Sequence, residues 1–242
     1  MTLQLCPRLA AIAELVPHGR ALADVGTDHA LLPTALVLRG QVPLALACDR
    51  AAGPLACARA TTLRHDVAAR VLLRRGPGLA PVRRGEVDTV VIAGMGPESL
   101  LGILAADPEH VRGLGRVVLQ PNFGAELVRR RLAAHGLDLV DERLVEDRGR
   151  FYTVLAAAPR HRRFAALRGW DAASLALGPF VLRRGGEVLR RHLADELRRL
   201  ARAAAGRGAA RDPSRTTGLV ERRSLLAAAL ANAAALAHPG PA

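Results

Sequence analysis

Leu22-Ala23-Asp24-Val25-Gly26-Thr27-Asp28-His29-Ala30 reads as a buried strand ending in a turn that carries two carboxylates and a histidine. An apolar run that passes straight into so much polarity marks a turn that binds something. Upstream, Leu5, Leu9, Ile12, Ala13 and Val16 recur at helical spacing, and Pro17-His18-Gly19 stops that helix before the strand at 21–25. Downstream, apolar runs and helical patterns alternate: helix near 29–39, strand 43–48, helix near 53–68, short strand 71–74, strand 87–93, helix near 97–106, strand 115–120 and helix 124–135. Two further runs, 137–145 and 151–158, flank Glu146-Asp147-Arg148-Gly149-Arg150, a hairpin turn. Strands alternating with helices predict a parallel, doubly wound α/β sheet, to which the hairpin adds an antiparallel edge strand.

The chain has 242 residues, half of them hydrophobic, enough for one substantial core and a smaller second element. All 35 basic residues are arginine, and the formal net charge is +13. Clustered arginines would hold a polyanion by counterion release, which makes RNA or DNA a candidate partner. The aromatic content of 2% argues against a stacking platform for single strands, so charge must do most of such binding. Cys6, Cys48 and Cys57 form no CxxC pair, so neither a disulfide framework nor a metal site is expected. With no leader pattern and no run near the roughly 20 apolar residues of a spanning helix, the expectation is a cytoplasmic protein without a membrane segment. A monomer is expected.

Near residues 159–178 the pattern changes. Leu189, Leu193, Leu197 and Leu200 make a helical stripe interspersed with Arg190, Arg191, Arg198, Arg199 and Arg202, and a second stripe runs through Leu219, Leu226, Leu230 and Leu236. Gly206-Arg207-Gly208 and Asp212-Pro213-Ser214 read as the turn between them. The expected organisation is a ligand-binding α/β domain over 1–160 and a C-terminal helical coiled-coil hairpin over 161–242.

In open parallel sheets, ligands sit outside the carboxyl ends of the strands. Here those ends read Asp24 to His29, Cys48-Asp49, Arg75-Gly76-Pro77-Gly78, Ala93-Gly94-Met95-Gly96 and Gln120-Pro121-Asn122. Gly26 lets the backbone approach a ligand, and the next helix start offers amide groups to an anion. Asp49, at the end of the second strand, is placed to accept from both hydroxyls of a ribose. Strand-end acids also cap helices; the series of five such ends is what favours a pocket for a nucleoside-bearing cofactor. G-x-G-x-x-G is missing from the first turn, which counts against a dinucleotide. The architecture is the Rossmann-like one used by class I S-adenosylmethionine methyltransferases.

Asp24 to Ala30 with Leu32-Pro33, then Gly53-Pro54-Leu55, Ile92-Ala93-Gly94-Met95-Gly96, Leu119-Gln120-Pro121-Asn122 and Gly178-Pro179-Phe180, in this order over about residues 3–182, resemble the bacterial TrmK family. The resemblance implies S-adenosylmethionine as cofactor, tRNA as partner, and methyl transfer to N1 of the adenosine at position 22. It places cofactor contacts at Asp24, Gly26, Thr27, Asp49, Gly76, Gly78, Ala93, Gly94 and Met95. Two departures stand out. The family's third strand tends to end in Gly-Asp-Gly-Leu, where the acid contacts the cofactor adenine, and here Pro77 takes that place. Pro97 stands where another glycine commonly follows Gly96.

Methyl transfer to a ring nitrogen needs positioning more than acid–base help. A carboxylate near the cationic product would stabilise charge, and Asp28 is the first candidate; its alternative role is to cap the following helix. His29 either holds Asp28 or touches the base. Asn122 either reads an adenine edge or fixes the turn backbone. Arg183, Arg184, Arg190, Arg191 and Arg198 are candidate tRNA contacts or solvated helix faces, with Arg8, Arg39 and Arg129 to Arg131 as weaker candidates. Two rival functions are a same-fold methyltransferase with another RNA or small-molecule acceptor, and a non-catalytic RNA-binding protein that keeps the fold.

Overall fold

A computed structural model of the chain describes residues 3–159, 170–206 and the helix at 213–235, with the side chains of 203–206, 213–219 and 233–235 outside that description. It divides into two compact units, residues 1–169 and 170–242. The expected domain boundary at 160/161 and the expected turn at 207–212 lie outside the described residues.

In the first unit, α1 (Pro7–Glu14) precedes β1 (Leu22–Val25), α2 (Leu31–Leu38), β2 (Ala45–Asp49), α3 (Ala52–Arg64), β3 (Val71–Arg75), β4 (Thr89–Met95) and α4 (Pro97–Ala106). Then come α5 (Pro108–Arg112), β5 (Arg116–Pro121), α6 (Ala125–Leu132) continued by a 3-10 turn, β6 (Leu137–Asp147) and β7 (Arg150–Pro159). The sheet order is β3-β2-β1-β4-β5-β7-β6, with β1 to β5 parallel. All four residues of β1 and Thr89 to Ile92 of β4 are buried, as continuous apolar central strands covered on both faces require. Ile12, Leu22, Leu36, Leu46, Ile92, Leu100 and Leu119 form the heart of the core. Each contributes on the order of 1.5–3 kcal/mol by leaving water.

The hairpin departs from expectation in two respects. Its antiparallel strand is β7, inserted between β5 and β6, so the edge strand β6 runs parallel to the rest of the sheet. The turn is tighter than the five residues expected: Asp147 pairs with Arg150, and Arg148 and Gly149 both have positive φ, 51° and 73°. Two successive residues of that kind make the two-residue turn whose twist matches the strands.

Helix α2 starts at Leu31, not near residue 29, because Ala30 donates its amide to the Thr27 carbonyl in a turn, with Asp28 and Ala30 both at φ 52°. Helix α5 was not expected; Asp107 caps it by accepting from the His110 amide at 3.1 Å, and Pro108 occupies its first position.

In the second unit lie α7 (Ala172–Leu177), α8 (Pro179–Arg184), α9 (Glu187–Gly206) and α10 (Pro213–Ala235). Asp171 caps α7 through the Ser174 amide, and Trp170 meets Phe180 edge to face at 6.4 Å. Helices α9 and α10 are in contact; Leu189, Leu193 and Leu226 are buried.

Candidate cofactor and acceptor site

The strand order reverses between β1 and β4, and the crevice at their carboxyl ends is where a doubly wound sheet takes a ligand. Asp24, Gly26, Thr27, Asp28 and His29 follow β1, Asp49 ends β2, Gly76 and Gly78 follow β3, Ala93, Gly94 and Met95 end β4, and Asn122 follows β5. The sheet therefore brings the first unit's cofactor and catalytic candidates to one end, while Arg8, Arg39 and Arg129 to Arg131 lie on or after helices. Arg183, Arg184, Arg190, Arg191 and Arg198 belong to the second unit.

Asp24 is buried and accepts from the Thr27 hydroxyl at 2.7 Å. Burial is the main cause that pushes its carboxyl up to about 6; the Thr27 hydrogen bond opposes the shift and the nearby Asp49 charge adds to it. A cation placed against this pair would relieve both the desolvation and the repulsion. Burial and the Asp24 charge also push the Cys48 thiol up to about 12, so it stays protonated and unreactive.

Gly26 lies at φ 77°, a backbone that favours glycine, and a Cβ there would stand 2.4 Å from the Met95 Cε and push that flexible side chain aside. The amides of Gly26 and Thr27 are taken up within the sheet. Both donate to the Cys48 carbonyl, at 2.8 and 3.0 Å. Asp49 Oδ1 accepts from the Ala51 amide at 2.8 Å and Gly76 donates to the Asp49 carbonyl at 3.0 Å, which fixes the acid beside the β3 loop. Pro77 is exposed in that loop, and Glu86 does not replace the missing acid, because it is engaged by Arg74 and the Arg83 amide.

Asp28 is not a helix cap: α2 begins three residues later with Ala30 as its N-cap and no side-chain cap. Its carboxylate is 71% exposed and stands 3.6 Å from His29 Nε2. Asp tolerates the left-handed backbone better than most residues, so the turn holds Asp28 outward at modest strain.

Asn122 does fix the turn. Its amide donates to the Met95 carbonyl at 2.8 Å, and its side-chain Nδ2 donates to the Gly94 carbonyl at 2.7 Å. Behind it, the fully buried Gln120 accepts from Arg8 at 2.7 Å and from the Gly94 amide at 3.2 Å while donating to the Pro121 carbonyl. These bonds hold open the irregularity between Ala93 and Met95 that turns the Gly94 backbone out of register. Sequence reasoning missed this role for Gln120 and Arg8, although a glutamine inside an apolar strand was the available signal. Arg8, which also lies over the Tyr152 ring at 5.7 Å, is therefore an internal support. Arg129 is likewise no phosphate ligand: it is buried and donates to Glu142 at 2.6 Å. Arg130 pairs with Glu126, and Arg131 with Glu98.

On α9, Arg190 pairs with Glu187, and Arg198 lies 3.4 Å from Asp195. Arg191 stands 3.9 Å from Glu187, and Arg199 2.8 Å from Asp195. Arg183 lies over the Phe180 ring at 4.4 Å. Exposed pairs one helical turn apart are weak, about 0.3–0.5 kcal/mol, and exchange readily for a phosphate. Among the described residues no cluster of His, Cys, Asp or Glu could hold a metal ion, and no helix is long and apolar enough to cross a membrane.

Residues 5–155 match the family model described as a methyltransferase domain. The chain is 34% identical to the tRNA (adenine(22)-N(1))-methyltransferase of Bacillus subtilis over 196 residues, 81% of this chain and 82% of that one. The crystal structure of the B. subtilis m1A22 tRNA methyltransferase TrmK superposes with a TM-score of 0.82 at 31% identity, covering 94% of this chain and 99% of that one. A Streptococcus pneumoniae protein, provisionally assigned as a tRNA (m1A22) methyltransferase and solved with S-adenosyl-L-methionine, superposes at 0.81 and 28% identity, covering 92% and 98%. A strand-end crevice suited to a nucleoside, and sequence and fold shared along most of the chain with these proteins, lead to one conclusion: the chain belongs to the tRNA (adenine(22)-N(1))-methyltransferase family.

Proposed function

We propose that this protein is an S-adenosylmethionine-dependent methyltransferase acting on N1 of adenosine 22 in tRNA. The observation that carries the reading is the crevice between β1 and β4, where a glycine-lined opening meets two carboxylates suited to a cationic amino acid and a ribose. The donor set fits the cofactor. Asp24 offers a buried carboxylate whose ionisation a cation favours, and Asp49 has one oxygen on the Ala51 amide and a second for a ribose hydroxyl. Thr27, Gly76, Gly78, Ala93, Gly94 and Met95 form the walls. When bound, S-adenosylmethionine supplies a sulfonium methyl that passes to the N1 lone pair as the C–S bond breaks, leaving S-adenosylhomocysteine and a cationic N1-methyladenine.

The residues of this chain position and balance that charge. Asp28, held outward, stabilises the cation forming on the base, and His29 keeps its carboxylate oriented. Asn122 donates to Gly94 through Nδ2, and its Oδ1 accepts from the exocyclic amine of the adenine, an interaction that favours adenine over guanine. The target base leaves its stack to reach this end of the sheet.

The second domain reads as a coiled-coil hairpin built of α9 and α10, with Arg183, Arg184, Arg190, Arg191 and Arg198 holding the tRNA backbone, the last three by exchanging carboxylates for phosphates. The protein works as a cytoplasmic monomer. The test is incubation with labelled S-adenosylmethionine and unmodified tRNA, followed by nucleoside mass spectrometry and position mapping. N1-methyladenosine at position 22 supports the reading. Transfer elsewhere identifies another acceptor, and tRNA binding without transfer identifies a binding protein.

A further inference from the structure

Aromatic residues make up 2% of this chain, and among the described residues Phe123 is the only exposed one. It is 68% exposed, and because single exposed apolar residues are common, its place at the strand ends is what makes it informative. It directly follows the Gln120-Pro121-Asn122 strand end, and so stands at the carboxyl edge of β5, one strand from β4 and two from β1. Strand spacing puts that loop about 10 Å from the Asp28 turn, the span of a flat base with a wall on either side. Leu31, exposed at 38%, is the large apolar residue on the β1 side.

The ring is mounted on a rigid base. On one side Asn122 is bonded twice to the β4 end, through Met95 and Gly94. On the other, Gly124 adopts φ 66° at the start of α6, where a Cβ would meet the buried Pro97 at 3.2 Å. Pro97, the departure noted in the sequence, thus stiffens this loop. A Cβ on Gly96 would stand 3.5 Å from the Phe123 Cζ, so the ring tip reaches over the β4 loop while most of the ring faces solvent.

We infer that Phe123 is the stacking platform for the extruded target base, placing the adenine edge against Asn122 and its N1 toward the crevice. The inference rests on the tRNA-methyltransferase reading above. One ring suffices for one base, which reconciles the low aromatic content with an acceptor that must leave its stack.

Base–aromatic stacking is worth a factor of about 5 to 150 per base. Phe123→Ala is therefore expected to lower kcat/KM for tRNA by about 10- to 100-fold, while the S-adenosylmethionine dissociation constant, measured by calorimetry, stays within twofold. Phe123→Trp and Phe123→Tyr restore most of the activity; Phe123→Leu, which keeps apolar bulk without a π-face, does not. An active wild type whose Phe123→Ala variant keeps kcat/KM within twofold, or one that Leu rescues as well as Trp, overturns the stacking role alone. A wild type that methylates no tRNA adenosine overturns the acceptor reading and this inference with it.

Discussion

Asp24 is where one side chain exposes its surroundings most directly. Its carboxyl sits near 6 instead of the ordinary 3.8, mainly because burial disfavours the charge. The folded chain therefore binds a proton that the unfolded chain has already lost between those values. The stability associated with this proton is full below about 3.8 and is lost as pH rises through about 6, a total of about 3 kcal/mol. Asp24→Asn should thus raise the unfolding free energy at pH 7 and leave it nearly unchanged at pH 3.5, as measured by denaturant titration. In the proposed site the cofactor's cationic amino group would reverse the balance, since it needs the carboxylate ionised. Affinity for S-adenosylmethionine should rise about tenfold from pH 5 to pH 7 and lose that dependence in Asp24→Asn. A flat calorimetric profile for the wild type would remove Asp24 from the cofactor site. Two neighbours carry their own tests. Asp28→Ala should slow methyl transfer by about 10- to 100-fold with cofactor affinity intact, because its role begins as charge develops on the base. Pro77→Asp should tighten cofactor binding by about fivefold, a net hydrogen bond of about 1 kcal/mol to the adenine amine.

At the level of elements, the Arg129–Glu142 pair ties α6 to β6 in the interior, with both side chains at or below 1% exposure. Removing one partner breaks an ion pair between two buried charges, so Glu142→Ala should cost about 3–5 kcal/mol, while Arg129→Met with Glu142→Leu should recover most of it. Because α6 carries the Phe123–Gly124 loop at its start, the single variant should also weaken acceptor turnover more than cofactor binding. Neither residue advertises this in the sequence. Arg129 stands among three consecutive arginines that read as surface charge, and Glu142 lies in a strand of mixed polarity. What the sequence makes legible here is the periodicity: apolar runs locate β1 to β5 and the turn at Arg148-Gly149, since those follow from local chemistry. The insertion of β7 beside β5 is set by pairing between distant strands, which local patterns do not encode. The late start of α2 is set by the turn before it, where Ala30 donates to the Thr27 carbonyl and Asp28 and Ala30 take the left-handed backbone that no helical periodicity announces. Bonds to Arg8 and Gly94, both far away in the chain, hid the role of Gln120, whereas the placement of Asp49 and Gly26 at the strand ends was readable because those ends converge by construction in a doubly wound sheet.

For the whole molecule, the net charge of +13 becomes meaningful only through where its arginines stand. Much of the first unit's arginine is internal or paired: Arg8, Arg74, Arg84 and Arg129 serve Gln120, Glu86, Asp107 and Glu142. On α9 five arginines face three carboxylates, and Arg183 and Arg184 precede them at the exposed end of α8. Exposed pairs are weak enough that a polyanion displaces the carboxylates and releases its counterions, so binding should fall steeply with salt. If Arg183, Arg184 and Arg191 each hold a phosphate, replacing all three by alanine should lower the slope of log affinity against log salt by about 2, at roughly 0.7–0.9 for each phosphate no longer neutralised. The same variant should raise KM for tRNA and leave the S-adenosylmethionine dissociation constant unchanged, since the proposed cofactor residues all belong to the first unit. A tRNA salt slope equal to that of the wild type would show that these arginines stay with their carboxylate and aromatic neighbours, and would move the tRNA surface onto the first unit. There Arg39, exposed just after α2, is the first residue to replace.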